Sequence, residues 1–102
     1  MKQNLVFIMT DQQRADTLGM MSGNTEITPA LNQLARESTV FERAYNTCPL
    51  CVPARTALAT GMNPIKNGMQ LNDLPGKYAR DNETIHQMFY KAGYEVAHVG
   101  VN

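Results

Sequence analysis

The chain has 102 residues, nine basic and nine acidic, so its formal charge cancels. Apolar residues make up 43% and charged residues 18%, which fits one small soluble domain at most. The balance excludes the charge excess of a nucleic-acid or anionic-membrane binder, no apolar run approaches a membrane span, and two cysteines do not make a disulfide framework.

Lys2 is followed by the apolar run Leu5 to Met9, which is too short for a signal-peptide core and breaks into Thr10-Asp11-Gln12-Gln13-Arg14. The expected location is therefore cytoplasmic. Asn4 to Met9 reads as a strand buried on both faces of a parallel sheet, with Asp11 and Gln12 at its ligand-binding end. Thr28-Pro29 predicts a capped helix start, and Ala30, Leu31, Leu34 and Ala35 recur at helical spacing to about Glu37. Ser38 to Tyr45 is rich in β-formers and predicts a second strand. Pro49 and Pro53 bracket a loop around Cys51, and Pro53 to Thr60 favours helix until Gly61. Residues 62–82 carry the turn signals Asn63-Pro64, Asn67-Gly68 and Pro75-Gly76 and predict an extended connection. Thr84 caps a third helix to about Ala92, Gly93 ends it, and Tyr94 to Val99 predicts a last strand. The order is that of an α/β fold. Because it stops directly after a strand, the chain reads as cut.

Cys51 has the most chemical promise. A predicted helix start beside it offers free amides and a dipole that favour negative charge, and Arg55 adds a fixed planar cation one turn on. A nucleophile, an anion cradle and a cation fall within five residues. Taken alone, the spacing leaves a second reading open, with Cys51 a small buried hydrophobe and Arg55 a solvated helix residue.

The segment Cys51-Val52-Pro53-Ala54-Arg55 with downstream Leu58-Ala59-Thr60-Gly61 resembles the signature of type I, formylglycine-dependent sulfatases. Asn4 to Asp16, Thr28 to Ala35 and Thr84 to Gly100 resemble the same family, in order. The resemblance implies a partial alkaline-phosphatase-like α/β sandwich, a mostly parallel sheet flanked by helices, with residues 1–102 as the incomplete N-terminal part of a catalytic domain. It further implies that Cys51 is oxidised to formylglycine by a sulfatase-maturing enzyme. Arg55 would stabilise the resulting diol, and Asp11, Gln12 and position 51 would bind a divalent metal, calcium first with manganese or magnesium as alternatives. The implied substrate is a small sulfate ester.

Gln12 stands where many members have a second aspartate, and its neutral amide is a weaker ligand. Asp-Gln-Gln-Arg also occurs in related phosphonate and phosphodiester hydrolases, which supply the alternative function. Ala54 replaces the usual serine. The family's Gly-Lys-Trp-His segment would begin at Gly100, where Val101-Asn102 follow instead. These 102 residues by themselves are expected to be inactive, and their uncovered strand edges predict self-association. A non-catalytic remnant is the structural alternative. Cys48-Pro49-Leu50-Cys51 is also a Cys-x-x-Cys, so a redox dithiol or half a zinc site is a rival, with His86 and His98 read as structural or surface residues far from it. Arg14, Asp16 and Lys66 read as solvated surface, and Phe7, Phe41, Phe89 and Tyr94 as core.

Overall fold

The structure, a computed structural model, describes residues 3–19, 21–72 and 81–100. The chain divides into two compact units, Met1–Ala44 and Tyr45–Asn102.

In the first unit a 3-10 turn, Ala15–Thr17, leads into a two-stranded antiparallel hairpin of β1 (Met21–Ser22) and β2 (Thr25–Glu26). Gly23-Asn24 turns it, pairing Met21 with Glu26 and Ser22 with Thr25. Helix α1 follows at Pro29–Arg36, with proline in its first turn, where no backbone N–H is required. Thr28 does not cap it as the sequence predicts. Its hydroxyl, with a single proton to give, lies 2.9 Å from the Thr17 carbonyl and 3.1 Å from Asn32 Oδ1. Asn32 Oδ1 also accepts the Gly19 N–H at 2.7 Å, so α1 is tied to the preceding loop by side chains. Arg36, at the end of α1, pairs with Glu26 on β2.

The second unit is helical: α2 at Cys51–Thr60, α3 at Pro64–Asn67 and α4 at Ile85–Lys91. Helix α2 packs on both others. Its core is small and partly polar, built from Pro53, Pro64, Met69, Thr60 and Asn67. Asn67 is only 1% exposed, and it is buried at little cost because both ends of its amide are used. Nδ2 donates to the Met62 carbonyl at 3.1 Å, and Oδ1 accepts the Met69 N–H at 2.9 Å. Residues 62–72 are therefore not the plain extended connection predicted. Asn63 caps a short helix there, accepting the Ile65 N–H. The Pro75-Gly76 signal lies outside the described residues.

Helix α4 has a complete set of end signals. Thr84 and Gln87 form a reciprocal capping box at its start. At its end Gly93 takes φ 80°, its N–H bonds the Tyr90 carbonyl at 2.8 Å, and the Tyr94 N–H bonds the Phe89 carbonyl at 3.0 Å. That is a Schellman motif, and its usual apolar contact is the edge-to-face pair Phe89–Tyr94, ring centroids 5.1 Å apart.

The parallel sheet read from the sequence is not formed among the described residues. Residues 4–9, 38–45 and 94–99 join no ladder. A strand is a pairing rather than a local conformation, and among the described residues these segments make no ladder hydrogen bonds. Their apolar side chains are correspondingly open: Val6 is 80% and Phe7 66% exposed, and Phe41 is exposed too, so neither phenylalanine is core. Phe89 and Tyr94 are half-buried, as a packing role requires.

Candidate functional site

Cys51 is not ahead of its helix, as the sequence suggests, but is its first residue. The helix begins two positions early because Pro53 sits in the first turn, where its missing N–H breaks no bond. The first intrahelical bond runs from the Ala54 N–H to the Leu50 carbonyl at 2.9 Å. The Leu50 and Cys51 amides lie before that bond and have no carbonyl within the helix. Cys51 is exposed at this positive end of the helix dipole, while Pro53 behind it is fully buried and anchors the turn. Arg55 is half-buried one turn on, on the same face of α2 as Cys51. At the far end Gly61 stops α2 in the left-handed conformation, φ 66°.

One contributor is not legible in the motif. Leu50 offers no side-chain oxygen to cap α2. The cap comes from Asn72, whose Oδ1 accepts the Val52 N–H at 3.1 Å. Its only sequence signal is an asparagine in a turn-rich tract, twenty positions from the amide it holds.

Asp11 and Gln12 lie in the first unit, both exposed and on a bend. Gln12 has φ 49°, the one non-glycine residue with positive φ among those described. Such a conformation is uncommon for a long side chain and tends to occur at working sites. The four candidates thus come as two adjacent pairs, Asp11 with Gln12 and Cys51 with Arg55, one in each unit. Among the described residues no group of three or more His, Cys, Asp or Glu is gathered to hold a metal.

Of the other residues considered, Arg14 and Asp16 serve each other. Arg14 Nε donates to Asp16 at 2.9 Å, and that hydrogen bond, then the carboxylate charge, raises the guanidinium above its ordinary pKa. Lys66 is exposed on α3. Cys48 is half-buried and both thiols are free. Leu50 between them is extended, φ −121° and ψ 147°, which lengthens the span. A disulfide needs Cα atoms about 4.4–6.8 Å apart, so this conformation works against closing one. His86 and His98, twelve positions apart in sequence, meet each other: their ring centroids are 5.4 Å apart.

The sulfatase family model matches residues 3–102. The chain belongs to the sulfatase family. It is 41% identical to an ulvan-active sulfatase of Formosa agariphila over 97% of this chain and 19% of that protein. It is 37% identical to an arylsulfatase of Clostridium perfringens, over 98% of this chain and 21% of the relative. An endo-4-O-sulfatase of Bacteroides thetaiotaomicron is 35% identical over 95% of this chain and 22% of its own length. The chain thus spans about a fifth of these curated relatives. No solved structure matches it. Family membership implies the alkaline-phosphatase-like fold, of which the described residues form a mainly helical part.

Proposed function

We propose that a full-length protein carrying this chain is a sulfuric ester hydrolase whose nucleophile is formylglycine made from Cys51. The reading is supported above all by the setting of Cys51: exposed, first in a ten-residue helix, with Arg55 one turn on, in a chain of the sulfatase family. Residues 1–102 are then the N-terminal part of its catalytic domain. Exposure suits the visit of a maturing enzyme, which must reach the thiol.

Formylglycine, hydrated to a geminal diol, supplies one hydroxyl to attack sulfur and a second whose deprotonation re-forms the aldehyde and expels sulfate. The chain's own residues prepare the place where that charge develops. The first amides of α2 and its dipole favour a negative oxygen at position 51. Arg55 adds a cation whose planar donors suit an oxyanion. Asn72 and buried Pro53 hold the first turn, so the nucleophile stands on a fixed element.

For the divalent metal, Asp11 is the strong ligand and Gln12 a neutral one, and calcium, which prefers oxygen donors, is the first choice. Calcium takes about six to eight oxygens, and two adjacent donors fall short of that. The described residues therefore do not make a complete calcium site.

A second reading, a phosphonate or phosphodiester hydrolase, is favoured by the amide of Gln12 in place of a second carboxylate. The test is hydrolysis by the full-length protein, co-expressed with a maturing enzyme, of an aryl sulfate against an aryl phosphonate and a phosphodiester. Preferred sulfate cleavage, falling about a thousandfold or more in Cys51→Ala, is expected. Preferred phosphonate or diester cleavage would establish the second reading, and undiminished activity in Cys51→Ala would sink both.

A further inference from the structure

We propose that His86 and His98 form a two-imidazole binding site for a divalent transition-metal ion, zinc or copper. Twelve positions separate them in sequence, and the chain reversal at Gly93 brings them together. That reversal is held by both Schellman hydrogen bonds and by the Phe89–Tyr94 contact. The two rings lie 5.4 Å apart between centroids, inclined at 69°. Two imidazole nitrogens each about 2.0–2.1 Å from one tetrahedral ion leave their ring centres on the order of 5 Å apart, close to the spacing of this pair.

The surroundings suit a cation. Both histidines are exposed, and among the described residues neither ring has a hydrogen-bond partner to give up. His86 lines a cavity of about 530 Å³ together with Asp81 and Glu83. Lys91 pairs with Glu83 at 2.6 Å, which leaves Asp81 as the remaining charged group among the described residues lining this cavity. No third His, Cys, Asp or Glu completes a cluster among the described residues, so a bound ion would take its remaining ligands from solvent. Imidazole ligands select zinc, copper and nickel over calcium and magnesium, which prefer oxygen. This site shares no residue with the proposed hydrolytic one and stands or falls independently of it.

The test uses the 102-residue chain with Cys48→Ser and Cys51→Ser, so that no thiolate competes for the metal. Zinc is titrated while the ring resonances of His86 and His98 are followed by NMR, with calorimetry for stoichiometry. Both rings should shift together and saturate at one ion per chain, calcium should shift neither, and acidification to about pH 5 should release the zinc. His86→Ala and His98→Ala should each weaken binding by about tenfold or more. The ring signals of Phe89 and Tyr94 report whether α4 and its turn survive, and His98→Gln, closer in size, replaces any variant in which they move. Rings that respond independently, single variants that keep full affinity, or no saturable shift would each overturn the site.

Discussion

Asn72 ties off the first turn of α2 from a loop, and its effect should be measurable without any assay of activity. Asn72→Ala leaves the Val52 N–H to water, at a local cost of at most about 1 kcal/mol, equivalent to about fivefold faster amide exchange there. Asn72→Asp keeps the acceptor and should keep the protection. An unchanged exchange rate in the alanine variant would show that the cap contributes nothing. Gln12 presents the opposite case, a residue held in a conformation it does not favour. Glycine there would relieve about 1–2 kcal/mol of left-handed cost while losing about 0.5–1 kcal/mol to its freer unfolded chain. Gln12→Gly should therefore raise the thermal midpoint by about 2–4 °C. A fall in the midpoint would mean the side chain makes contacts that outweigh the strain. Neither role was legible beforehand. The Asn72 bond joins residues far apart in sequence, and the φ of Gln12 follows from the loop rather than from glutamine.

Helices α1, α2 and α4 were legible because their signals are local: proline in a first turn, glycine after a last one, and a Thr84–Gln87 box. Even so, α2 starts two residues before the expected Pro53, since proline marks a first turn without saying which position in it. The strands were not legible in the same sense. An apolar run such as Leu5 to Met9 predicts burial between neighbours, and only pairing with such neighbours makes it a strand. The caps can be tested one by one. A Cβ at Gly61 meets nothing within 4 Å, so Gly61→Ala isolates the backbone cost of its positive φ, about 1–2 kcal/mol by urea unfolding. Thr84→Ala should cost about 1 kcal/mol and shorten α4 as followed by amide exchange. A Gly61→Ala variant as stable as the parent would mean that α2 can end in another way.

Across the molecule, large apolar side chains stand open at Val6, Phe7, Ile8, Phe41, Ile65 and Val99. Soluble monomers rarely leave so much apolar surface uncovered, and such surface drives association. The 102-residue chain should therefore sediment as concentration-dependent oligomers, and Val6→Lys with Ile8→Lys should shift it toward monomer. A monomer at all concentrations would show that these side chains are satisfied without a partner. Among the described residues no helix is long and apolar enough to cross a membrane.

If Cys51 is the precursor of a sulfatase nucleophile, the mass of its peptide will show it. After co-expression with a sulfatase-maturing enzyme, the Cys51 peptide should lose roughly 18 Da, the change from thiol to aldehyde, while Cys48 stays unmodified. A Cys51 peptide of unchanged mass, under conditions that convert a control sulfatase, would contradict the account.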